Sequence, residues 1–214
     1  MKTENIPVLR LLAPCAVIGL LAILAACNVV PPPQDDPTRY FVLSDPAGQA
    51  VQAPAAGAFR IGLKSVRLES YLKRREMVVR TGGNEVEFRD FRRWAEPLDA
   101  AIGRVVRMRL VGAPEVAQVY AEPFPPDQER DFDVSIDVRR CEGSQDPSGK
   151  FSASLSATIE ISTAGASPRV VARKLFSAPA GAWDGRDFGQ LASLLSVDAA
   201  ALGQEVIADI PARN

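Results

Sequence analysis

The chain has 214 residues, of which 47% are hydrophobic and 24% charged, a globular composition with enough length for a real core. A net charge of −1 supplies no bulk field for nucleic acid or an anionic membrane, so no nucleic-acid partner is expected. There is no histidine, which removes the commonest general base and metal ligand, and Cys15, Cys27 and Cys141 lack paired metal spacing.

The N-terminus reads as an export signal. After Lys2 and Arg10, no residue from Leu11 to Ala26 is charged, and Ala16 to Leu24 is almost purely aliphatic. That run, interrupted by Pro14, is short for a membrane span and fits the apolar region of a signal peptide. It closes with Leu24-Ala25-Ala26-Cys27, which resembles the bacterial lipobox. The resemblance implies cleavage before Cys27, a diacylglycerol on its thiol and acylation of its amine. Plain secretion after a nearby cut and an uncleaved anchor are the alternatives. Asn28 stands where an Asp retains many lipoproteins in the inner membrane. The expected location is therefore the inner leaflet of the outer membrane, facing the periplasm. The organisation expected is a signal peptide at 1–26, the lipidated Cys27 with a Pro-rich tether at 27–38, and one domain at 39–214. Cys141 is then a lone thiol, and no disulfide is available within the mature chain.

The tether, NVVPPPQDDPT, has no apolar period and favours polyproline II, at about 3.1 Å per residue a reach of roughly 30–35 Å. The run Tyr40 to Leu43 reads as a first strand closed by Ser44-Asp45-Pro46, and Arg60 to Leu68 as a second with a bulge near Ser65. A hairpin follows. Gly82-Gly83 reads as a two-residue turn, which pairs Arg80 with Glu85 and Glu76 with Arg89 and gathers Met77, Val79, Val86 and Phe88 on one apolar face. The link Phe91-Arg92-Arg93-Trp94 leads to a helix over Glu96 to Val111, with Pro97 in its first turn and Gly112 at its end.

Val116 to Tyr120 is a further strand, and prolines then break the chain at 123, 125 and 126. Phe132 to Arg139 and Phe151 to Ser162 alternate apolar and polar residues, the period of half-exposed strands. Val170 to Ser177 is another strand. Asp187 can cap a last helix whose stripe of Phe188, Leu191, Leu195, Ala199, Leu202, Val206 and Ile210 faces a core. Strands flanking two helices with no linker between them give one α/β domain with a mixed β-sheet and two main helices.

The lipobox, YFVL after the tether, IGLKSVRL, REMVVRTGGNEVEF with RRWAEPLDAAIGRVV, and a Ser/Ala/Leu-rich last helix together resemble the PqiC-type ABC transport auxiliary lipoproteins. The likeness covers nearly the whole chain and is most specific from Arg80 to Leu98. It implies a three-layer α/β fold and a non-enzymatic, accessory role in phospholipid transport that maintains envelope integrity. The partner it implies is an inner-membrane-anchored protein with mammalian-cell-entry (MCE) domains; a homo-oligomeric ring of subunits is one arrangement it admits. Two departures are the start of the last helix, WDGRDFGQL, and the segment Glu122 to Arg130.

Several polar clusters admit a chemical reading. Asp131, Asp133 and Asp137 share a strand face, which reads either as a cation or acid/base site or as a solvated face. Ser152, Ser154 and Ser156 repeat along a polar face with no base to activate them. Gly82-Gly83 lacks the Lys-Ser/Thr of a phosphate loop. No catalytic residue, metal ligand or cofactor is expected. From Lys64 to Arg109, twelve basic residues stand against seven acidic ones. Candidate partner-binding residues are Arg80, Asn84, Arg92, Arg93 and Trp94, with Trp94 serving either as an interface anchor or as core. The competing function is a stand-alone lipoprotein that binds a ligand or cell-wall component.

Overall fold

The structure, a computed structural model, describes residues 34–45, 53–56 and 58–211, and Thr38–Asn214 forms one compact unit. The expected signal peptide, Cys27 and most of the expected tether lie outside the described residues.

A long central strand organises this unit. Strand β7 (Phe132–Gln145) pairs antiparallel along its length with β8 (Phe151–Thr163). Its other edge takes three strands in parallel: β2 (Phe59–Leu63), β3 (Arg67–Leu68) and β4 (Glu76–Arg80). Beyond β4 come β5 (Val86–Trp94), antiparallel, and β1 (Arg39–Phe41), parallel to β5. Beyond β2 lies β6 (Val116–Ala121), while β9 (Val170–Ser177) and β10 (Gly181–Trp183) both pair with β8. The sheet is mixed, as the sequence leads one to expect.

Period-two patterning makes one face apolar. On β8, Ala153, Leu155, Ala157, Ile159 and Ile161 are fully buried, and the intervening Ser152, Ser154, Ser156, Thr158 and Glu160 are half-buried. Helix α1 (Leu98–Val111) and helix α2 (Phe188–Ala208) cover the apolar side. Helix α1 buries Ile102, Val105, Val106 and Leu110, and α2 buries Leu191, Leu195, Ala199, Leu202 and Val206. The helices pack on each other as well as on the sheet. They touch at Gly203, where an added Cβ would lie 2.8 Å from Arg109 Cβ and 3.3 Å from Val106 Cα.

Asp187 caps α2 as expected: its carboxylate accepts from the backbone N–H of Gly189 at 2.8 Å and of Gln190 at 3.1 Å. Helix α1 begins at Leu98, with extended Pro97 outside it. The single strand expected over 60–68 is two, separated at residues 64–66. Strand β7 runs past Arg139 through a bulge between Val138 and Arg140, which restores the phase so that Cys141 is buried. Strand β10 has no period to announce it. It is held by Trp183, whose indole N–H donates to Asp187 O at 2.7 Å and whose ring lies over Gly143, where a Cβ would meet it at 2.5 Å.

The hairpin register differs from the expected one by a residue. Met77 faces Arg89, Val78 faces Phe88, Val79 faces Glu87 and Arg80 faces Val86. Thr81 N–H donates to Glu85 O, so the loop has three residues, Gly82, Gly83 and Asn84, instead of two. The pairs Arg80–Glu85 and Glu76–Arg89 therefore do not form. An isolated hairpin has one solvated face, but β4 lies between β5 and β7 with Met77, Val78 and Val79 all buried. Packing on both faces, and the demand of a buried Glu142 for Arg80, outweigh charge pairing within the hairpin.

Candidate partner surface at the hairpin and its basic link

The structure divides the five candidate partner residues. Asn84 is exposed at the hairpin tip. Arg80 points across to β7: its Nε donates to Glu142 Oε1 at 2.6 Å, its Nη2 to the Tyr71 hydroxyl at 3.3 Å and its Nη1 to Gly83 O at 3.3 Å. Tyr71 in turn donates to Arg139 O at 3.0 Å. Burial, then the Glu142 carboxylate, pushes the Tyr71 phenol up to about 12, while the hydrogen bond it donates to Glu142 raises Arg80 above its ordinary value. Arg80 thus neutralises an internal carboxylate. Trp94 lies in the core at 3% exposure.

Arg92 and Arg93 sit on a wide bulge. Between Glu76 and Met77 the β4 register jumps from Arg93 to Arg89, so Asp90, Phe91 and Arg92 have no β4 partner. The two arginines close it. Arg92 Nη1 donates to Phe91 O at 2.9 Å, and Arg93 Nε to Asp90 O at 3.1 Å. Arg92 also lies over the Phe188 ring, 5.9 Å from its centroid, and Arg93 is 3.7 Å from Glu76. Both remain half-exposed.

Much of the local basic excess is paired. Arg67 holds Asp137, with Nη2 to Oδ2 at 2.7 Å; Arg89 lies 2.8 Å from Glu87; Arg104 bonds Glu96 at 2.5 Å and Leu43 O at 2.8 Å; Arg109 bonds Asp45. The acidic strand face is likewise satisfied. Asp131 accepts from Arg60 N–H at 2.7 Å, Asp133 from Arg130 at 2.8 Å, and the hydrogen bond from Arg67 holds the Asp137 carboxyl below the usual range. Among the described residues no group of three or more Cys, Asp or Glu is placed to hold a metal ion. Cys141 is buried, and burial pushes its thiol up, which leaves an inert side chain.

No local pattern in the sequence marks one further feature. A cavity of about 760 Å³ opens between α1 and the strand ends, with Leu63, Val66 and Met108 as apolar lining and Lys64, Arg104 and Arg107 among its polar groups. Lys64 and Met108 belong to different periodic segments, and nothing local marks them as neighbours.

The chain matches the family of ABC-type transport auxiliary lipoprotein components over residues 41–204, and it belongs to that family. The fold is shared with two crystal structures. One is a DUF330 protein from Xanthomonas campestris, with 16% identity, coverage of 79% of this chain and 93% of that one, and a TM-score of 0.64. The other is an uncharacterized protein with 15% identity, coverage of 81% and 99%, and a TM-score of 0.62. No curated protein matches. Membership makes the chain a lipoprotein and an auxiliary component of an ABC-type transport system.

Proposed function

We propose that this lipoprotein is a non-enzymatic component of an MCE-associated phospholipid transport system, anchored through Cys27 in the inner leaflet of the outer membrane. Family membership over residues 41–204 carries the reading. Two local observations support it. Asp133 and Asp137 on β7, and Asp131 just before it, are each paired with an arginine, and Cys141 is buried. The partner is an MCE-domain protein anchored in the inner membrane, met by Asn84 and Arg92. Cys27 is tested by mass spectrometry of wild type and Cys27→Ser. The wild type is expected to carry acyl chains and fractionate with the outer membrane, and the variant to carry none; acylation that survives Cys27→Ser contradicts the anchor.

The α1 cavity favours a second reading, a lipoprotein that itself binds an amphiphilic ligand. Arg107 and Met108 there sit on α1 between the core and solvent, as a ligand wall requires. Saturable binding by the purified protein without any partner would support it.

A further inference from the structure

We propose that the β1–β5 edge is a membrane seat: Tyr40, Val42 and Phe91 enter the headgroup region of the leaflet that carries the anchor, with Arg93 meeting its anionic lipids. The inference rests on the lipoprotein reading above.

Three exposed large hydrophobic residues cluster at this edge. Tyr40 is 58% exposed, Val42 54% and Phe91 51%. Tyr40 stands opposite Arg93 in the parallel β1–β5 pairing, and Phe91 lies two residues before Arg93 on the same strand. Residues two apart on a strand share a face. The opposite side of this pair carries Phe41 and Trp94, which pack into the core, so the edge has an inner side already committed and an outer side without an internal partner.

The exposure of Phe91 is built. The bulge at 90–92 re-aims it, and hydrogen bonds from Arg92 to Phe91 O and from Arg93 to Asp90 O hold that geometry. Aromatic side chains beside arginines are the composition of a membrane–water interface, where the ring lies at headgroup depth and the guanidinium reaches the phosphates. On the Tyr40 side the cation is Arg93, half-exposed and only loosely held by Glu76 at 3.7 Å, which suits it to an anionic headgroup.

Chain length supplies the second argument. Tyr40 follows Cys27 by about 13 residues, at most about 45 Å at full extension. This edge is the first paired strand after the anchor. The apolar residues Val170, Val171 and Leu175 on β9 are as exposed but lie far along the chain and include no aromatic ring. Arg92 reaches the other side of β5, toward Phe188, so a partner bound through Asn84 and Arg92 is compatible with a seated edge.

The test uses the full acylated lipoprotein reconstituted in vesicles of phosphatidylethanolamine and phosphatidylglycerol, with lipids brominated on the upper acyl chain as quenchers. Tryptophan fluorescence is compared for Phe91→Trp and Leu175→Trp, after subtracting the signal of the unsubstituted protein. Tyr40→Trp repeats the measurement if Phe91→Trp lowers the melting temperature. The seat predicts at least twofold stronger quenching at Phe91 or Tyr40 than at Leu175, reduced when phosphatidylcholine replaces phosphatidylglycerol. Equal quenching at both edges in protein that floats with the vesicles overturns the seat and leaves the anchor standing. Protein that does not float overturns both.

Discussion

Arg80 and Glu142 meet across the β4–β7 pair, Nε to Oε1 at 2.6 Å, with the Glu142 side chain fully buried and that of Arg80 15% exposed. The carboxylate is desolvated and depends on this one guanidinium. Removing the cation leaves an uncompensated internal charge, which costs more than the pair contributes. Arg80→Ala is expected to lower unfolding free energy by about 3–5 kcal/mol in urea titration. Arg80→Met with Glu142→Leu should restore most of that loss, because both charges leave together.

The contact between α1 and α2 sets a contrast between two glycines. Gly→Ala in a helix interior gains about 1 kcal/mol in propensity. At Gly103 the new Cβ would meet only Val66 Cγ2 at 3.6 Å, so Gly103→Ala should stabilise by about that amount. At Gly203 it would press on Arg109 Cβ at 2.8 Å, an atom fixed to the backbone. Overpacking costs about 1–3 kcal/mol, so Gly203→Ala should lower the melting temperature despite the propensity gain.

Asp198 gives a pH signature. It lies on α2 at 7% exposure, its Oδ2 has no hydrogen-bond partner among the described residues, and burial pushes its carboxyl up to about 6. The unfolded value is about 3.9. Between about pH 4 and 6 the folded state holds the proton that the unfolded state has released, so this group's contribution to stability falls as pH rises through that window. Asp198→Asn should remove the loss. The stability difference between variant and wild type should grow from pH 4 to 6 and then stay level, as read from urea midpoints.

The sequence made the strands on β7 and β8, the two helices and the Asp187 cap legible, because each is a local period or a local hydrogen bond. The hairpin register was not, since it is set by β7. Arg80 looks like a hairpin charge until Glu142, far along the chain, is seen beside it. The same holds for Trp94, whose burial follows from β1 and the helices, and for the bulge that turns Phe91 outward. Strand β10 and the α1 cavity arise from long-range packing and leave no periodic trace. The family resemblance, by contrast, rests on contiguous stretches and was readable from them.

The central claim is tested most directly by affinity purification of the Cys27-anchored protein from solubilised envelopes, scored for an MCE-domain protein. The account predicts recovery of that partner with the wild type. It also predicts loss of the partner with Arg92→Glu combined with Asn84→Glu, in a variant whose melting temperature is within a few degrees of wild type. Recovery of no MCE-domain protein with the folded, acylated wild type would contradict it.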